Sequence, residues 1–211
     1  MDTNCLKLLQ NAFTDACDIS GFTEEKEGVI SLRDDKTCIE SSRVLSCDYD
    51  CDKTLLFIES DTPLTIVNFD KWRFTGVGKK CDYLVFDSSE DRKRFALCEL
   101  TCTMSKYVDD HGFLGRIGKR ATAREQMRQV WHSIINNSNP ALCVYIEQYR
   151  EKSAIFGWRE SNINNSNKAI RSMQGFSHAP GSSSKVKMFE ELDFDGGFQF
   201  IQVKYPAKFH W

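Results

Sequence analysis

Residues 79–103 read KKCDYLVFDSSEDRKRFALCELTCT. Two apolar stretches lie within it, CDYLVFD (81–87) and RFALCELTC (94–102). Both are rich in the aromatic and aliphatic side chains that fill strands. The charged segment SSEDRK between them has hairpin-turn composition. Each stretch also carries an acid, Asp82 at the start of the first and Glu99 within the second. An acid at a strand edge is most often a solvated surface residue, and that reading covers Asp82 taken alone. Glu99 has apolar residues on both sides, and a carboxylate drawn out of water needs a hydrogen-bonding partner or a metal.

Working outward, LTIVNFD (64–70) predicts a strand, and RVLSCDYD (43–50) and KTLLFIES (53–60) read as strands or their flanks. GVISL (28–32) opens the sheet. Residues 4–17 place Leu6, Leu9, Phe13 and Cys17 on one helical face, with an end near Gly21. Downstream, KRATAREQMRQVWHSII (119–135) predicts a helix with Met127, Val130, Trp131 and Ile134 as its apolar stripe, stopped by NNSNP. ALCVYIEQY (141–149) reads as a strand, and 161–186 as a long polar loop. KMFEELDFDGGFQFIQVKY (187–205) reads as a closing β-hairpin turning at DGG. The predicted fold is a single α/β (α+β) domain over residues 1–211: a central mixed β-sheet flanked by helices, with a C-terminal β-hairpin.

A chain of 211 residues suffices for one such core. Its net charge of -2 gives no global basic field, so nucleic-acid binding requires a local patch. The basic run GRIGKRATAR (115–124) is the candidate: Gly115 and Gly118 permit close backbone approach, and Lys119 and Arg120 open a helix. The alternative is a glycine-containing loop leading into a helix with a solvated charged face. No run reaches ~18 apolar residues, so no membrane span is expected. The first residues lack a basic segment followed by an apolar run, so the nine cysteines are expected as reduced thiols in a cytoplasmic protein. Cys98 and Cys102 are too far apart along a strand, about 13 Å, to share one ion. The four histidines are dispersed, and DFDGG (193–197) lacks the later ligands of a calcium loop. YPAKFHW (205–211) packs on the core or offers a partner site. No nucleophile elbow, Walker A loop or dinucleotide fingerprint is present.

CDYLVFD, ALCELT and ATAREQMRQVW together resemble the PD-(D/E)XK nuclease-like superfamily. There an acid begins a strand, a Glu-x-Lys sits on the next, and a following helix often bears a glutamine. The resemblance covers residues 64–149 and implies a restriction-endonuclease-like fold. It implies Asp82 and Glu99 as catalytic ligands of Mg²⁺ or Mn²⁺, with the Leu100 carbonyl as a third and Gln126 beside the site. It implies a further acid from an early helix, for which Glu24, Glu25 and Glu27 are candidates, Glu25 being the one carried into the expected ligand set. DNA or RNA is the implied partner, with metal-activated water attacking phosphorus. The motif lysine position is Thr101. Three arrangements fit a threonine there. Lys119, Arg120 or Arg124 supplies the cation and holds the phosphate, with Lys119 in the catalytic role; or the protein binds without cutting; or the fold is a scaffold for a protein partner.

Overall fold

The structure, a computed structural model, describes residues 3–13, 15–33, 46–47, 54–75, 77–89, 91–109, 116–136, 140–161, 186–189 and 197–211. Helix α1 (Thr3–Ala12) leads through a 3-10 turn (Ile19–Phe22) into strand β1 (Thr23–Arg33). The short strand β2 (Ser46–Cys47), the long β3 (Thr54–Asn68), β4 (Tyr83–Asp87) and β5 (Arg94–Thr103) follow. Helices α2 (Lys119–Ile135) and α3 (Pro140–Glu147) precede β6 (Glu151–Glu160), β7 (Val186–Phe189), β8 (Phe198–Lys204) and β9 (Lys208–His210). The described strands form one mixed sheet in the order β2-β1-β3-β4-β5-β6-β8-β7, with β9 paired to β3.

β3, β4 and β5 are an antiparallel meander. β5, β6 and β8 run parallel. A parallel pair needs a crossover, and α2 with α3 supplies the one between β5 and β6. The turn between β4 and β5 is closed by Asp87, whose Oδ2 accepts the Arg94 N–H at 2.6 Å.

The segments expected as two strands, 53–60 and 64–70, form the single strand β3. Its pairing with β1 slips between Lys26↔Leu64 and Gly28↔Ser60, so extra β3 residues bulge around Pro63. Gly28 supplies a φ of 78° at that bulge, a backbone region that side chains disfavour. Beyond it, β3 passes over the sheet so closely that a Cβ on Gly157 of β6 would lie 2.9 Å from the Leu56 Cβ.

Two cores result. One, between the helices and the sheet, contains Leu9, Phe69, Trp72, Leu84, Phe86, Leu97 and Trp131. The other, under the folded-over part of β3, contains Leu56, Ile58, Tyr83, Cys98, Leu100 and Ile155. The α2 stripe is as expected: Met127, Val130, Trp131 and Ile134 are all buried.

Two expectations are corrected. The segment expected as a strand over 141–149 instead falls mostly in helix α3 (Pro140–Glu147). Pro140 starts it in the first-turn position that suits proline, and Leu142 and Ile146 bury one face. A short continuous apolar run fits either structure by periodicity alone. Helix α1 ends at Ala12, well short of Gly21, and Gln10 Oε1 then accepts the Ile19 N–H at 2.8 Å to fold the chain back. The closing pair is present as antiparallel β7 and β8, while residues 190–196 lie outside the described residues. So do 162–185 of the expected loop. The C-terminal segment packs: β9 pairs with β3, and Trp211 Nε1–H donates to Asp87 Oδ1 at 2.9 Å.

Candidate functional site

The β4–β5 ladder ends at Tyr83↔Cys98. Two residues beyond it on β5, the Leu100 N–H is met by a side chain instead of a strand: it donates to Asp82 Oδ2 at 2.6 Å. In an extended strand a residue's N–H and C=O leave from the same edge, so the Leu100 carbonyl also faces the Asp82 side. The Asp82 carbonyl in turn accepts the Phe69 N–H at 2.9 Å and the Asp70 N–H at 3.3 Å. Asp82 is thus fixed through both its backbone and its side chain.

Tyr83 and Cys98 point into the core under β3, so alternation turns Asp82 and Glu99 to the helix side. There Gln126 of α2 reaches down. Its Nε2 donates to Glu99 Oε1 at 3.1 Å and lies 3.4 Å from the Lys80 carbonyl. The acid of one strand, the acid of the next and the glutamine of the crossover helix therefore meet on one face. Only 6% of Asp82 and 7% of Glu99 remains exposed. Both carboxylates are close enough to push up the neighbouring thiols. Burial is the main cause at Cys81, followed by Glu99, Cys98 and Asp82. At Cys98 it is burial, then Asp82 and Glu99. These two thiols are inert as nucleophiles at neutral pH.

The donor set suits a hard divalent cation. Two carboxylates and a carbonyl are oxygen ligands, and like charges buried together gain from a cation between them. Among the described residues, no group of three or more His, Cys, Asp or Glu side chains is arranged to hold a metal ion.

The other expected residues are dispersed. α1, TNCLKLLQNA, has no acid, and Glu24, Glu25 and Glu27 lie on β1 rather than on an early helix. Glu25 is exposed in the row Glu25–Thr65–Phe86, and Phe86 is four residues past Asp82. Glu25 is therefore about 13 Å along and 10 Å across the sheet from Asp82, and one strand further from Glu99. It is not brought to the site. Lys119 begins α2 in solvent, two turns or about 10 Å before Gln126. Arg120 is 3.9 Å from Asp109, and the Arg124 guanidinium lies 5.3 Å from the Phe200 ring centre on β8. Gly118 caps α2 with φ -72°, a conformation open to any residue, and Gly115 is outside the described residues.

Thr101 shares the face of Glu99 and pairs with Trp158 of β6. The same two rows extend to β8. Glu99 aligns with Phe156 and Gln202, and Thr101 with Trp158 and Lys204. Gln202 and Lys204 were not among the expected site residues. Their signal is the alternation Phe198, Phe200, Gln202, Lys204, in which an apolar face turns polar where it reaches the level of Glu99. An open cleft of about 450 Å³ is lined by Asp15, Asp70, Phe74 and Lys80, without Asp82, Glu99 or Gln126. Lys80 there donates to the Trp72 carbonyl at 2.6 Å, and burial lowers its pKa.

Fold and site together define a mixed α+β domain with a buried acid pair clamped under its crossover helix. Comparison with protein-family models, with curated proteins and with solved structures finds no match.

Proposed function

We propose that this chain is a divergent PD-(D/E)XK nuclease-like protein of restriction-endonuclease-like fold that hydrolyses nucleic-acid phosphodiesters with a divalent metal. The observation that carries the reading is the convergence of Asp82, Glu99 and Gln126, from the two strands and the helix that the resemblance implies. Asp82, Glu99 and the Leu100 carbonyl would hold Mg²⁺ or Mn²⁺. A cation held there supplies Lewis acidity toward a phosphate oxygen and a water of lowered pKa. The protein's own part is positioning. The Leu100 N–H aims Asp82, the Gln126 amide aims Glu99, and burial keeps both carboxylates in a low-dielectric environment where their pull on a cation is strong. Lys119, at the start of α2, approaches the phosphate from solvent.

The test is incubation of purified protein with single- and double-stranded DNA and RNA in Mg²⁺ or Mn²⁺. Cleavage that disappears in Asp82→Ala and Glu99→Ala supports the reading. No cleavage, or cleavage indifferent to both substitutions, refutes the enzyme.

Thr101 favours a second reading, a nuclease-like fold that binds nucleic acid or a protein without cutting. Threonine occupies the motif position on the face of Glu99, and it has no charge to offer a phosphate or a water. That protein retains nucleic-acid or partner binding with no turnover in any metal.

A further inference from the structure

The rows that continue from Glu99 and Thr101 onto β8 carry two polar atoms that nothing in the described structure satisfies. Trp158 Nε1 and Gln202 Oε1 are both shielded from solvent without a hydrogen-bond partner among the described residues. Their residues are 5% and 6% exposed. Buried polar groups are almost always paired, so each such atom calls for an explanation. The two are a donor and an acceptor, on adjacent parallel strands. Both stand on the helix-side face, because Ile201 and Val203 on either side of Gln202 fill the opposite core. Lys204 completes the set: its Nζ lies 4.9 Å from the Trp158 ring centre and 3.6 Å from Glu160 Oε2.

The location is also informative. α2 runs opposite to β8, with Trp131 against Phe198 and Arg124 against Phe200. Its first turn therefore lies toward Gln202 and Lys204, at the carboxyl ends of β5, β6 and β8. Ligands of parallel sheets gather at that end. Gln202 is two strand spacings from Glu99, about 10 Å.

We propose that Trp158, Gln202 and Lys204 form a subsite for a single-stranded nucleic acid, receiving a nucleotide next to the phosphodiester held at the acid pair. The subsite rests on the nucleic-acid reading above. Both buried atoms are closed to solvent in this structure, so binding moves the Lys204 side chain off the Trp158 indole; a phosphate oxygen then accepts from the Trp158 N–H and meets the Lys204 ammonium. A sugar hydroxyl or base N–H donates to Gln202. The subsite restores, from β8, a cation in the row where Thr101 leaves none.

Fluorescence anisotropy of labelled oligo-dT and oligo-U, in EDTA so that metal plays no part, tests this. Trp158→Phe and Gln202→Leu are each expected to weaken binding about fivefold, the worth of one hydrogen bond. Lys204→Gln is expected to flatten the slope of log affinity against log salt by about 0.7. Thermal melts confirm that each variant is folded, and Lys204→Gln alters a half-exposed position should either buried variant fail to fold. Unchanged binding in all three variants overturns the subsite and leaves the function above standing. So does a loss confined to Lys204→Gln, which is a general charge effect. If the wild-type protein binds neither oligonucleotide, the nucleic-acid reading falls and takes the subsite with it.

Discussion

Gly157→Ala is the most incisive probe of how the site is held. Gly157 pairs with Leu100, the residue whose N–H fixes Asp82. An added Cβ would lie 2.7 Å from Leu100 Cδ2 and 2.9 Å from Leu56 Cβ, with the Leu55 carbonyl at 3.5 Å. Ordinary carbon contacts begin near ~3.5 Å, so two neighbours must each retreat by more than half an ångström. The Leu100 methyl is a side-chain end and can turn away. The Leu56 Cβ is tied to the backbone of β3, which is paired on both edges there, with β1 and β9. Relief therefore means moving a strand. Overpacking of that kind costs about 1–3 kcal/mol, and the backbone neighbour places this case at ~2–3. For a chain of this size the melting temperature should fall by about 4–12 °C. Urea unfolding should show a lower midpoint with an unchanged m-value. A loss below about 0.5 kcal/mol would refute the close crossing of β3 over β6, and with it the fixed position of Leu100.

Two further outcomes follow from the site. Asp82→Ala strands the buried Leu100 N–H and should cost ~1.5–3 kcal/mol in chemical unfolding, whereas Asp82→Asn keeps an acceptor and should cost clearly less; equal losses would deny that hydrogen bond its role. Ser105 Oγ donates to Glu160, and this bond more than Lys204 depresses the Glu160 pKa below its ordinary 4.5. A depressed carboxylate stabilises the fold above its unfolded pKa, and that contribution is lost as pH falls through the lower folded value. In Ser105→Ala the Glu160 titration, followed by carboxyl NMR, should move up toward 4.5; an unmoved midpoint would contradict the assignment.

The strands at the centre were legible because their composition leaves few alternatives. In CDYLVFD every position is buried, in RFALCELTC the run Phe95–Leu100 is, and a charged turn separates them. Helix α2 was legible to the residue, since a wide apolar stripe and strong helix formers agree. α3 was misread because its run of apolar residues hides a buried face of only Leu142 and Ile146. The early acids were misplaced for a different reason. TEEKEG gives no apolar period, and only the pairing of Glu24 with Ile66 and Glu25 with Thr65 assigns it to a strand. Gln202 and Lys204 were missed because β8 reads as the second arm of a hairpin. Its parallel pairing with β6, which carries it to the level of Glu99, joins residues more than forty positions apart, and no local pattern encodes that.

The acid pair itself argues for a ligand. Two carboxyl groups that are almost fully buried on one face forgo hydration, and a pair kept only to tie β4, β5 and α2 together would do so at lower cost as amides. The hydrogen bonds from Leu100 and Gln126 orient one oxygen of each acid. Hydrogen bonds to the ligating carboxylates are what a cation site needs. On the function proposed above, threonine at position 101 bears on phosphate handling rather than on the metal. Lys204, over the Trp158 ring in the same row, is a cation on that face placed to take over. On the function proposed above, metal binding and cleavage are separable. Asp82 and Glu99 should govern the first, and the β8 row the capture of the strand on which the second depends.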